Sequence, residues 1–260
     1  MMVLKKAIGK RFGLLATLVT AVVIATTGVA LAQGSTANAL YESSHPVTMP
    51  SDAVQGGAGP IRNGTSAASD VSAATRLPNS GFESGDFGGW TRINEVGSSG
   101  EWFVYSGRKS PLSAHTIAAP PSGSFAATTD QNDPGSHVLF RKIQLKSGLR
   151  HKLSFYLYYD NFAGDFFTPK SLNFNVFPNQ QYRVDVMKPT ADPFAVNNKA
   201  ILARVFRTDV GDPNTLAPTL ITFNLTPFAG QTVRLRFAEV DNQGPFLASV
   251  DRVKVTSEPR

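Results

Sequence analysis

The sequence predicts an all-β domain, an antiparallel β-sandwich, behind an N-terminal export signal and a disordered tether. Three observations carry this. Several short stretches after residue 77 alternate apolar and polar residues with a period of two, the spacing of a strand with one buried face. Turn-forming clusters of Gly, Pro, Asn and Asp separate them. No long segment after residue 76 holds a helical period, so packed sheets are the remaining way to bury the apolar residues.

Residues 1–32 have the three parts of a signal peptide. Lys5, Lys6, Lys10 and Arg11 form a basic start, an apolar run extends from Gly13 to Ala32, and Ala30-Leu31-Ala32 fits cleavage before Gln33. The run is also long enough to cross a bilayer, so an uncleaved anchor is the rival reading. The formal charge is +6, and loss of the four signal cations leaves +2. That balance gives no concentrated basic surface for nucleic acid. The chain has no cysteine, so no disulfide or thiolate chemistry is open to it. Residues 33–76 are dominated by Ala, Ser, Gly, Thr and Asn and read as a flexible tether.

The domain is expected over residues 77–260. Asn79-Ser80-Gly81-Phe82-Glu83-Ser84-Gly85-Asp86-Phe87-Gly88-Gly89-Trp90 opens it, with glycines for turns and three aromatic residues to plug a core. A strand is expected over 137–145. Leu153, Phe155, Leu157 and Tyr159 then alternate with Ser154, Tyr156, Tyr158 and Asp160. Tyr182, Val184 and Val186 alternate with Arg183, Asp185 and Met187, and Val233, Leu235 and Phe237 with Arg234, Arg236 and Ala238. Val250 and Val253-Lys254-Val255 indicate a last strand with a local irregularity.

The opening segment resembles the start of bacterial carbohydrate-binding modules with the galactose-binding-like jelly-roll fold, which often read N-G-x-F-E-x-G-x-F-x-G-W. Ser249-Val250-Asp251-Arg252-Val253-Lys254-Val255 is similar to their closing strand, where Arg252 stands in place of a second aspartate. The resemblance covers roughly residues 77–257. It implies a structural calcium ion, with Glu83 and Asp251 as metal ligands brought together at the ends of the domain. Arg252 disfavours a nearby cation.

The motifs of zinc proteases, serine hydrolases, phosphate-binding loops and EF-hands are absent. His45, His115, His137 and His151 are scattered and read as surface or turn residues. A glycosidase-like carboxylate pair drawn from distant strands is left open. Alternation places Tyr156, Tyr158, Arg183, Asp185, Arg204, Arg234 and Arg236 away from the apolar faces. Rings that stack on a sugar and bidentate side chains that orient its hydroxyls are what a glycan site needs. The expected ligand-binding residues are therefore Tyr156, Tyr158, Arg183, Asp185 and Arg204, with Trp102 in reserve. A solvated face of cross-strand pairs is the plainer alternative. The sequence points to an exported, non-catalytic sandwich that binds extracellular or cell-wall carbohydrate, secreted or at the cell surface and free of the membrane once the signal is cleaved. A protein-binding adhesive domain is the second reading and a glycan-active enzyme the third.

Overall fold

The computed structural model describes residues 73–75 and 77–260. The expected signal peptide and most of the tether lie outside these residues. The described residues form eleven strands: β1 (Ala73–Thr75), β2 (Thr91–Asn94), β3 (Glu101–Tyr105), β4 (Ala126–Asp130), β5 (Gly135–Gln144), β6 (Leu149–Asn161), β7 (Gln181–Met187), β8 (Ile201–Arg207), β9 (Thr215–Asn224), β10 (Thr232–Asp241) and β11 (Phe246–Pro259). The first sheet runs β3-β4-β11-β6-β9, with β1 also on β11, and the second runs β2-β5-β10-β7-β8. Every pairing is antiparallel. The predicted all-β sandwich is what forms. β1 falls within the span expected as tether and pairs Ala73 with Ser257.

The alternating apolar positions meet between the sheets. Leu153, Phe155 and Leu157 of β6 and Val250, Val253 and Val255 of β11 face Val184 and Val186 of β7 and Val233, Leu235 and Phe237 of β10 in one core. Phe155 and Phe237 bridge the layers edge to face at 5.2 Å. Each such side chain contributes about 1.5–3 kcal/mol by leaving water. The opening segment plugs this core as expected. Phe82 and Trp90 pack at 5.5 Å, Trp90 reaches Phe237 at 6.0 Å, and the Trp90 indole N–H donates to the Asn79 carbonyl at 3.1 Å.

Two strands depart from regular pairing. In β11 the register slips between Asp251 and Lys254, where Arg252 takes φ +50°, so Val250 and Val253 both reach the core. This is the expected irregularity, a bulge. In β9 Pro218 interrupts the ladder, which an edge strand tolerates. The pairing of β6 with β9 shifts there, between Leu157 and Tyr159.

Loops add a further layer outside each sheet. Over the first, Tyr105, Ile117, Ala126, Tyr158 and Leu247 form a small buried cluster. Over the second, Val138, Phe140, Leu172, Ala238 and Val240 form another, with Phe174, Phe194 and Val196 packed on it.

Candidate functional site

The outward face of the second sheet is a covered ion-pair network and not the open glycan face expected. Asp185 is fully buried and accepts from Arg183 Nε at 2.8 Å, Arg183 Nη2 at 3.0 Å and Arg236 Nη2 at 2.6 Å. Arg236 also donates to the Pro193 and Ala195 carbonyls at 2.6 and 2.8 Å. Arg234 lies over the Phe140 ring and donates to the Pro189 and Ala191 carbonyls. The loop after β7 is thus held down by guanidinium groups, and its carbonyls replace their water. Alternation correctly turned Arg183 and Asp185 away from the core, but a loop distant in sequence covers them. Arg204 is exposed on edge strand β8 and pairs in register with Asp185.

The first sheet divides its outer face in two. At one end Tyr158 is 1% exposed, and its hydroxyl shares a 2.6 Å hydrogen bond with Tyr105, which also donates to the Ala118 carbonyl. Burial raises the pKa of both phenols. Tyr158 therefore presents no ring to a ligand. Trp102 is fully buried in the main core beside Tyr182, at 6.4 Å, and is likewise unavailable. At the other end the face is open. Tyr156 is half-buried and stands across from Leu220, which is 56% exposed. Farther along the same strands lies a cleft of about 450 Å³, lined by Arg150, Lys152, Thr222, Asn224, Thr256 and Glu258 among others.

Glu83 and Asp251 meet at the boundary between the covered and open halves, as the resemblance implied. Gly81 separates them: a Cβ there would stand 3.5 Å from Asp251 Oδ1 and 3.9 Å from Glu83 Oε1. Gly123, at φ +72°, is pressed against the Glu83 carboxylate, with no room for a Cβ. The Ser124 and Phe125 amides donate to Glu83, and the Ser122 and Arg252 amides to Asp251. Burial pushes the Asp251 carboxyl up to about 7; its amide hydrogen bonds oppose this and the Glu83 charge adds to it. Arg252 is exposed. Two carboxylates supply the oxygen donors that calcium takes, and since the backbone here presents N–H groups, further oxygens would have to complete its shell.

A second cluster was missed in the sequence. His137, read there as a surface or turn residue, is fully buried with Glu239 and Asp241, and one ligand atom of each lies within 4.8 Å of the others. These three could hold a metal ion. Burial pushes His137 down to about 4, the Ser99 carbonyl opposing. It pushes Asp241 up to about 7 and, with the Asp241 charge, Glu239 well above the usual carboxylate range. The signal was present in the alternation. Glu239 and Asp241 continue the inward phase of Leu235 and Phe237, and His137 shares the phase of Leu139. His151, also expected at the surface, is buried between Ser257 and the Lys146 carbonyl.

No family model and no curated protein sequence matches the chain. Among solved structures it is similar to TmCBM61 in complex with β-1,4-galactotriose, at 12% identity over 69% of this chain and 95% of that one, TM-score 0.41. It is similar to the K3 cleaved adhesin domain of Lys-gingipain from Porphyromonas gingivalis, at 14% identity over 71% and 99%, TM-score 0.45. It is also similar to the Stig cyclase Fisc from Fischerella sp. TAU, at 18% identity over 72% and 98%, TM-score 0.41.

Proposed function

We propose that this chain is exported and that its sandwich is a non-catalytic module that binds extracellular or cell-wall carbohydrate on the open half of the first sheet. The supporting observation is the open Tyr156–Leu220 pair beside the 450 Å³ cleft. A phenol ring offers a flat face for sugar C–H groups, while Arg150, Lys152, Asn224 and Glu258 supply donors and acceptors for hydroxyls. Tyr156 carries the stacking role once expected of Tyr158 as well, and Arg183 and Asp185 leave the ligand set. Calcium is proposed to sit between Glu83 and Asp251, to fix the Ser122–Phe125 loop against the strand bulge, and so to border the binding face. The ion would supply charge neutralisation there and no chemistry. Polysaccharide pull-down and a glycan array with the folded domain test the reading. Retention of at least one polysaccharide supports it. Binding only to proteins would favour an adhesive role, and hydrolysis of the same panel an enzyme.

A further inference from the structure

We propose that His137, Glu239 and Asp241 form a buried site for a divalent transition-metal ion of the zinc class. Glu239 pairs directly with His137 across β10 and β5, and Asp241 follows two positions on, so all three project from the same face at one end of the second sheet. They are 0%, 0% and 3% exposed, yet both Glu239 carboxylate oxygens lack a hydrogen-bond partner, and the Ser99 carbonyl is an acceptor beside His137. A buried carboxylate with neither donor nor cation is among the costliest groups a fold can carry. The surroundings orient these atoms as ligands. Asn94 Oδ1 lies 3.0 Å from His137 Nδ1 and fixes the ring, and in the metal-bound form an Nδ1–H donated to it would leave Nε2 free as the ligand. The Gly135 amide donates to Asp241 at 2.9 Å and fixes that carboxylate. One neutral imidazole and two carboxylates carry the charge that a divalent ion cancels. The nitrogen ligand selects a zinc-like ion over calcium, which takes oxygen. A cleft of about 220 Å³, lined by Asp133 and Asn242, borders the cluster at Asp241.

The test uses the full chain, dialysed against chelator and then against Zn²⁺, Mn²⁺ or Ca²⁺, with bound metal measured per chain. The expected result is about one zinc per chain retained in competition with calcium. Glu239→Gln keeps the shape and is expected to weaken zinc more than about tenfold. Asp251→Asn is expected to leave zinc binding unchanged. Anomalous scattering at the zinc edge from crystals of the wild-type domain needs no variant. It is expected to place the ion between the three side chains. No retained zinc, an ion elsewhere, or zinc bound equally by Glu239→Gln overturns the proposal. In that case His137 Nε2 carries its proton toward the Ser99 carbonyl and the carboxylates are satisfied by protons or water.

Discussion

Replacing Asp185 by alanine separates a structural clamp from a sugar-binding residue. The carboxylate holds two buried guanidiniums through three hydrogen bonds of 2.6 to 3.0 Å. The variant leaves Arg183 and Arg236 buried without a counter-charge, at 3% and 0% exposure. Breaking one side of a buried pair costs about 3–5 kcal/mol. That is a large share of the roughly 5–15 kcal/mol that holds a domain together. At about 2–4 °C per kcal/mol for a domain of this size, the melting temperature should fall by roughly 6–20 °C. The assay is thermal unfolding followed by circular dichroism, paired with polysaccharide retention measured well below the transition. Replacing all three residues by apolar side chains of similar volume should recover part of the loss. Recovery stays incomplete, because Arg236 also holds the Pro193 and Ala195 carbonyls. A fall of less than about 2 °C, together with lost retention, would refute the clamp and return Asp185 to the binding face.

Three further outcomes are expected. Tyr158→Ala should cost about 3–5 kcal/mol by emptying a packed cluster, whereas Tyr158→Phe should cost about 1 kcal/mol for the hydroxyl shared with Tyr105; urea unfolding of both variants checks this. In chelator, Asp251 holds its proton more tightly folded than unfolded, with a folded pKa of about 7 against 3.8. Its stabilisation is complete below the unfolded value and is lost as pH rises through the folded one, so melting temperature should drop over that window, less steeply in Asp251→Asn. Calcium at neutral pH should raise stability by about 2.7 kcal/mol at one hundred times its dissociation constant, and Glu83→Ala should abolish the increment; identical melting curves in calcium and chelator would remove the ion.

The strands that build the core were legible because alternation is a local signal. β6, β7, β10 and β11 each announce an inward face, and Val250 with Val253 announced the bulge. The short strands β2, β3 and β4 were not read, since four or five residues hold too few alternations to stand out. What covers a strand's other face is a non-local fact. Nothing near Tyr158 in sequence reveals that Tyr105 and Ile117 close over it, and nothing near Asp185 reveals the carbonyls of residues 189–195. Polar residues on an outward face were therefore taken as exposed when a second layer buries them. Glu83 and Asp251 were paired in the sequence only because the resemblance named them, and the fold places them on the two sides of Gly81. His137, Glu239 and Asp241 escaped notice because carboxylates in an inward phase look like the end of a strand.

The claim that the open half of the first sheet binds glycan rests on Tyr156. Tyr156→Ala, assayed for melting temperature and polysaccharide retention on the same preparation, tests it most directly. Stability should fall by no more than about 1–1.5 kcal/mol, since the ring is half-buried and lies outside the core. Retention should be lost, because a small site deprived of its stacking ring has little surplus over the cost of association. Full retention by a variant of unchanged stability would contradict the claim.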